Sequence, residues 1–217
     1  DAGATAEIFV KFVEMLKDQH IMNLKEMNKF GDRNVNAIRK MPTHHIILIA
    51  QNDIGRYNLY QLITASHMTY YARRPRIPKS LINEHREGII IGSACEAGEL
   101  YRAVLEKQSA QQIARLADFY DYYEIQPIGN DMFMLEDEKT PNINTEEDLR
   151  NVNREIVELG EKFGKPVVAT CDVHFLDPED EVYRRIIMAG KGFKDADNQA
   201  PLFLRTTDER SEEHTSE

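Results

Sequence analysis

The chain has no tryptophan, two cysteines among its 217 residues, and no uninterrupted apolar run long enough to cross a bilayer. A transmembrane helix needs about 20 predominantly apolar residues, so no segment here reads as one. Cys95 and Cys171 lie far apart with no CxxC pairing, which excludes a disulfide framework and points to a reducing cytoplasm. Positive charge is also short, with 27 Lys and Arg against 37 Asp and Glu for a net charge of −10. A free-standing nucleic-acid binder turns a basic surface to phosphate, so this balance argues against one. It leaves room for a domain working beside a basic partner. Asp1-Ala2-Gly3-Ala4-Thr5 offers neither a basic n-region nor an apolar h-region, so no secretory signal is visible. The chain opens without Met and directly in a helical pattern, which reads as an internal piece of a longer protein. Walker loop, GxGxxG, nucleophile elbow and paired CxxC motifs are all missing.

What is present is enough for a packed core, with 41% hydrophobic and 29% charged residues. Ile8, Phe9, Phe12, Val13 and Leu16 recur at helical spacing and predict one apolar stripe from about Ala4 to Lys17. From Gln19 to Met41 the pattern loosens and reads as a junction. His44-His45-Ile46-Ile47-Leu48-Ile49-Ala50 predicts a strand buried on both faces, followed by a turn at Asn52-Asp53 and a helix through Leu59, Leu62, Ile63 and His67. The unit recurs: strand Gly88–Gly92, helix Glu99–Leu105, a helix through Ile113, Leu116 and Phe119, and a weaker strand Tyr122–Ile125. Thr145 caps a long helix whose Leu149, Val152, Ile156, Leu159 and Phe163 follow at spacings of 3, 4, 3 and 4. Gly164 stands at its C-cap, Pro166–Thr170 is a third buried strand, and Asp177-Pro178-Glu179 starts another helix. Strands alternating with helices predict a mainly parallel α/β sheet or barrel.

The sharpest cluster is Thr170-Cys171-Asp172-Val173-His174. Asp172 and His174, two apart on an extended chain, would point to the same side beyond a strand's C-terminal end. That is a common placement for metal ligands in α/β enzymes. The competing structural reading is an Asp capping the next turn and a His packed under a loop. Cys95 has the same placement after Gly88–Gly92, where a free Cys also serves as a small apolar side chain. His44 and His45 precede a strand, where a solvated turn is the competing reading. Taken together, His, Cys, Asp and His at the edges of successive strands favour zinc or a similar borderline metal. Arg73-Arg74-Pro75-Arg76-Ile77-Pro78-Lys79 concentrates four positive charges in an acidic chain. It could contact a DNA backbone, with Tyr70 and Tyr71 stacking on a base, or form a solvated, proline-stiffened loop.

Several segments carry a family resemblance: HHIILIAQNDIGRYNLYQLITASH, RRPRIPKSLI, GIIIGSACEAGELYRAVL, YDYYEIQP, GKPVVATCDVHFLDPED and FLRTTDE. From His44 to Glu209 the chain resembles the second half of the PHP (polymerase and histidinol phosphatase) domain of PolC-type DNA polymerase III alpha subunits. In that family a DEDD-type 3′–5′ exonuclease is inserted within the PHP domain. The resemblance therefore implies four stretches: residues 1–18 as the last exonuclease helix, 19–43 as a linker, 44–209 as the C-terminal half of the PHP domain, and 210–217 as an artefactual tail. Asp1 would be the Asp of the last exonuclease motif.

The fold implied is α/β, the later half of a distorted (β/α)7 barrel, with a metal centre at one mouth. Carried over, the family's later ligands fall on His45, Cys95, Asp172 and His174; the earlier ones, an HxH pair among them, lie upstream of the exonuclease. Cys171 stands where the family more often has Gly or Asn. The implied activity is template-directed DNA synthesis by a DNA-directed DNA polymerase, a nucleotidyltransferase of DNA replication, with its catalytic residues elsewhere. Zn²⁺ or Mn²⁺ would occupy the PHP site, and Mg²⁺ the polymerase and exonuclease sites. Implied partners are DNA, the other polymerase domains, the sliding clamp and further replisome subunits, with no membrane and a cytoplasmic location. Two other readings stand beside this one: part of a free-standing PHP-type metal-dependent phosphoesterase, and a scaffold whose ligands are vestigial.

Overall fold

The computed structural model describes residues 2–32, 34–193 and 196–210. Among them the chain forms two compact units: residues up to Thr43 with Ala50–Ile89, and His44–Ile49 with the residues from Ile90 onward.

The first unit is helical. α1 (Ala2–Asp18) follows the predicted stripe, yet Ile8, Phe9 and Phe12 are exposed and none of its residues is buried. The loosely patterned stretch after it is not irregular. It holds α2 (Leu24–Asp32) and α3 (Val35–Ile38). Both are launched by asparagines: Asn23 accepts the Glu26 N–H and Asn34 the Ala37 N–H, each at 3.0 Å. Caps of this kind start short helices that apolar periodicity does not announce. α4 (Asp53–Met68) begins where the Asn52 side chain accepts the Gly55 N–H at 2.9 Å, and α5 (Lys79–Glu84) follows Pro78. Arg39 donates to the Thr69 carbonyl at 2.8 Å, and Arg76 donates to the carbonyls of Met41 and Ala72.

The second unit carries the sheet elements. β1 (Ile47–Ala50) pairs with β2 (Ile89–Gly92), and β3 (Tyr123–Ile125) pairs in parallel with β4 (Val167–Ala169). The β3–β4 register sets Glu124 opposite Val168, and a single parallel bridge joins Gly92 to Tyr122. The helices are α6 (Glu99–Leu105), α7 (Ala110–Phe119), α8 (Ile128–Asp131), α9 (Glu146–Phe163) and α10 (Glu181–Gly190). α9 is the crossover between the parallel pair, and it packs on β3, β4, α6, α7 and α8. Its Leu149, Val152, Ile156 and Leu159 are buried, each contributing about 1.5–3 kcal/mol of hydrophobic burial. A capping box between Thr145 and Asp148 starts it.

Two strands differ from the sequence expectation of burial on both faces. Ile47, Ile49 and Val168 are partly exposed, because among the described residues β1 and β4 each have one ladder partner only. β2 and β3, joined through the Gly92–Tyr122 bridge, hold the more buried positions.

α9 ends at Gly164, whose φ of +62° places it in the left-handed region with nothing within 4 Å of an added Cβ. The obstacle to a side chain there is therefore conformational, not steric contact with neighbours. Gly164→Ala is expected to lower stability by about 1 kcal/mol, and Gly164→Asn by less. Urea denaturation of the three proteins checks this, and equal midpoints would contradict it.

Candidate metal centre

β2 ends at Gly92, and the chain then turns tightly through residues 93–98. Ser93 donates its N–H to the Tyr122 carbonyl at 3.2 Å, and Gly98 donates to the Cys95 carbonyl at 2.8 Å. Ala94 adopts φ +62°, a costly conformation for a residue with a Cβ. Gly98 is required by space, since a Cβ there would stand 2.1 Å from the Ser93 carbonyl oxygen. The same loop captures the segment before β1: the His45 N–H donates to the Ala97 carbonyl at 3.0 Å, and His45 bridges in parallel to Gly98. His45 Nδ1 thereby lies 3.2 Å from Cys95 Sγ. Burial, above all, pushes the Cys95 thiol up to about 12. A thiol so far from ionising becomes a ligand only where a cation replaces its proton.

Asp172 and His174 do not sit on an extended strand, so alternation does not place them as the sequence suggested. β4 stops at Ala169, and Asp172 turns left-handed with φ +50°. His174 Nδ1 is 2.7 Å from the Asp172 carbonyl oxygen and 3.8 Å from its Oδ2. The pair is close through a local turn. With Nδ1 engaged there, Nε2 is the nitrogen left to act as a ligand. The His174 N–H donates to the Leu202 carbonyl at 2.8 Å, and Phe175 bridges in parallel to Phe203, which fixes the turn from behind.

His45, Cys95 and Asp172 line one cavity of about 410 Å³, together with Glu124, Gln126 and Thr170. Asp172 also faces a second cavity of about 800 Å³, whose walls include Glu96, Asn130, His174 and Arg184. Asp172 is thus shared, whereas His174 lines only the larger of these two cavities. Among the described residues no three His, Cys, Asp or Glu side chains stand close enough to share an ion. The donor chemistry nevertheless fits a borderline divalent cation. Nitrogen, sulfur and oxygen donors line one cavity, and the His45–Cys95 separation is near the N···S distance of about 3.5 Å that two tetrahedral zinc ligands adopt.

Sequence reading missed three side chains here. Glu124 and Gln126 line the ligand cavity and are 6% and 4% exposed. Their i, i+2 spacing at the Tyr122–Ile125 strand was the signal available. Asp131 is buried behind the larger cavity, where the Tyr101 hydroxyl donates to its Oδ2 at 3.0 Å. Burial first, and then the charge of Glu96, raises its carboxyl to about 7.

The remaining candidate residues lie elsewhere. Asp1 is outside the described residues, as are 211–217 of the tail. Arg210 is described, and its N–H donates to the Thr206 carbonyl at 3.1 Å. In the basic loop Arg73 and Arg74 are exposed, whereas Arg76 and Lys79 are half-buried. Arg76 is engaged with carbonyls of its own unit, and the Tyr71 hydroxyl donates to the Arg73 carbonyl at 3.2 Å. The Tyr71 ring stacks on His67, with ring centroids 6.3 Å apart.

A profile of the PHP domain matches residues 7–136, and the chain belongs to the PHP domain family. The match begins within α1 and ends before β4, so Asp172 and His174 lie beyond it. The chain is 53% identical to the PolC-type DNA polymerase III of Clostridium perfringens over 214 residues, which are 98% of this chain and 14% of that protein. It is 48% identical to the protein of the same name from Caldanaerobacter subterraneus, covering 96% of this chain and 15% of that one. Identity to the Thermotoga maritima protein is 42%, over 98% and 15%. The chain spans about one seventh of the length of these relatives.

Asp131 supplies a pH test of the site's surroundings. Its carboxyl keeps a proton up to about 7 in the fold, but only to about 3.9 in an unfolded chain. The unfolded state thus releases its proton first, and stability that is complete below pH 4 is lost as pH rises towards 7. Asp131→Asn removes this dependence. The stability of wild type relative to the variant should fall across that window in urea titrations, and a constant difference would show that the carboxyl ionises as in the unfolded chain.

Proposed function

We propose that this chain is a segment of a bacterial replicative DNA polymerase of the PolC type. The observation that carries the reading is the 53% identity across 98% of the chain. In the full-length protein the activity would be template-directed DNA synthesis with 3′–5′ proofreading, in the cytoplasm, using Mg²⁺ at the polymerase and exonuclease sites. Its partners would be DNA, the neighbouring domains of the same polypeptide, the sliding clamp and other replisome subunits. This segment would contribute the later half of a distorted (β/α)7 PHP barrel, with α1 as the last helix of the exonuclease.

Within the barrel, His45, Cys95, Asp172 and His174 would hold Zn²⁺ or Mn²⁺ together with ligands from the upstream half. Bound there, the cation would supply Lewis-acid chemistry towards a phosphoryl group. The chain's own contribution is geometric: the 93–98 turn presents Cys95 to His45, and the 170–174 turn presents Asp172 to the same cavity. Arg73 and Arg74, exposed on the helical unit, would face a DNA backbone, whereas Arg76 is committed to Met41 and Ala72.

The full-length polypeptide carrying this segment is expected to extend a primed DNA template with deoxynucleotides and Mg²⁺. Hydrolysis of phosphomonoesters without extension would replace this reading by a PHP-type phosphoesterase. In the same protein, Arg73→Ala with Arg74→Ala should reduce the slope of log affinity for duplex DNA against log salt by about 2. An unchanged slope would remove the loop from the DNA interface.

A further inference from the structure

The cavity holding His45, Cys95 and Asp172 has a buried carboxylate on its wall. Glu124 is 6% exposed, and both of its oxygens act as acceptors. The Tyr122 hydroxyl donates to Oε1 at 3.0 Å, and the Thr170 hydroxyl to Oε2 at 3.1 Å. The Glu124 N–H in turn donates to Ser93 Oγ at 2.9 Å. Glu124 therefore ties together the ends of three strands. Ser93 begins the turn that carries Cys95, and Thr170 begins the turn that carries Asp172. Among the described residues no Lys, Arg or His makes an ion pair with Glu124, and its carboxylate is answered by the Tyr122 and Thr170 hydroxyls. A buried carboxylate in that position is costly unless a positive charge lies nearby. The open space beside it is the ligand cavity itself.

We propose that Glu124 is a positioning residue of the cation site: through Thr170 and Ser93 it fixes the two ligand-bearing turns, and its charge attracts the cation they surround. The proposal rests on the metal reading above. Partners that orient ligands in this way are typically worth about 10–100-fold in metal affinity.

The test uses Co²⁺ as the probe ion, in the full-length polypeptide stripped of metal by chelation. Its thiolate-to-metal absorption band reports ligation by Cys95, and chelator competition gives the affinity. Glu124→Gln keeps volume and removes charge. It should weaken Co²⁺ about 10–100-fold while the thiolate band keeps its position and the metal-free melting temperature does not fall. Thr170→Val should weaken the ion in the same way, and Thr170→Ser should restore it. Wild-type affinity in both Glu124→Gln and Thr170→Val, with the band abolished in Cys95→Ser, would overturn the role of Glu124 and leave the metal centre standing. A wild-type protein showing no thiolate band would reject ligation by Cys95, and this proposal with it.

Discussion

Two left-handed residues decide where the candidate ligands stand. Ala94 and Asp172 both have a Cβ, and both take φ values near +50° to +60° just beyond the ends of short strands. Each costs about 1–2 kcal/mol relative to ordinary backbone, so the surrounding structure must hold them there. For Ala94 that holding comes from the Ser93–Tyr122 and Gly98–Cys95 hydrogen bonds. For Asp172 it comes from the His174 ring on its carbonyl and the His174–Leu202 bond behind it. Without the first turn Cys95 would not meet His45, and without the second Asp172 would not share a cavity with them. His20, Arg73 and Lys107 are also left-handed, but at Ala94 and Asp172 the strain falls in loops that carry ligand-type side chains, a placement that suits a functional site.

The elements most legible in the sequence were those whose signal is local. α9 was readable at both ends because Thr145, the apolar spacing and Gly164 all state the same boundary. β2 and β3 were readable as apolar runs, but the number of ladder partners is a property of pairing, which no run of residues carries. Hence β1 and β4 were expected to be buried and are partly exposed. The short helices after α1 escaped because they rest on Asn23 and Asn34 and not on an apolar stripe.

Within the candidate site, the sequence offered ligand-type side chains but not their geometry. The 3.2 Å approach of His45 to Cys95 joins side chains fifty positions apart, a separation at which spacing is silent; placement at strand edges grouped them, and the resemblance assigned them to one centre. Asp172 and His174 were paired for a reason that the fold does not use, since a left-handed turn replaces the extended chain the alternation rule requires. Glu124 was not singled out in the sequence, where it appears only as part of the weaker Tyr122–Ile125 strand. Its burial depends on Tyr122, Ser93 and Thr170, one of them on another strand's loop and one at the end of β4.

The electrostatics around the two cavities lean one way. Cys95 and Asp131 are both raised primarily by burial, and for both the charges of Glu96 and Asp172 add to the rise. The Cys95 thiol and the Asp131 carboxyl thus both feel the negative charges of Glu96 and Asp172, and Glu124 adds a buried carboxylate to the smaller cavity's wall. Arg102, whose charge lowers the Asp131 carboxyl, offsets part of this. Arg184, on the wall of the larger cavity, is held by Gln199, and Lys165 donates to the carbonyls at the end of α7. A divalent cation beside Cys95 and Asp172 would act on all of these groups at once, favouring the thiolate, the carboxylates and the closed turns together. Protonation can neutralise each group separately, but it cannot draw His45, Cys95 and Asp172 towards a common point. Acidic side chains of the kind that weaken the metal-free fold as pH rises from about 4 towards 7, as Asp131 does, are also what would favour a compact positive charge in the cavity.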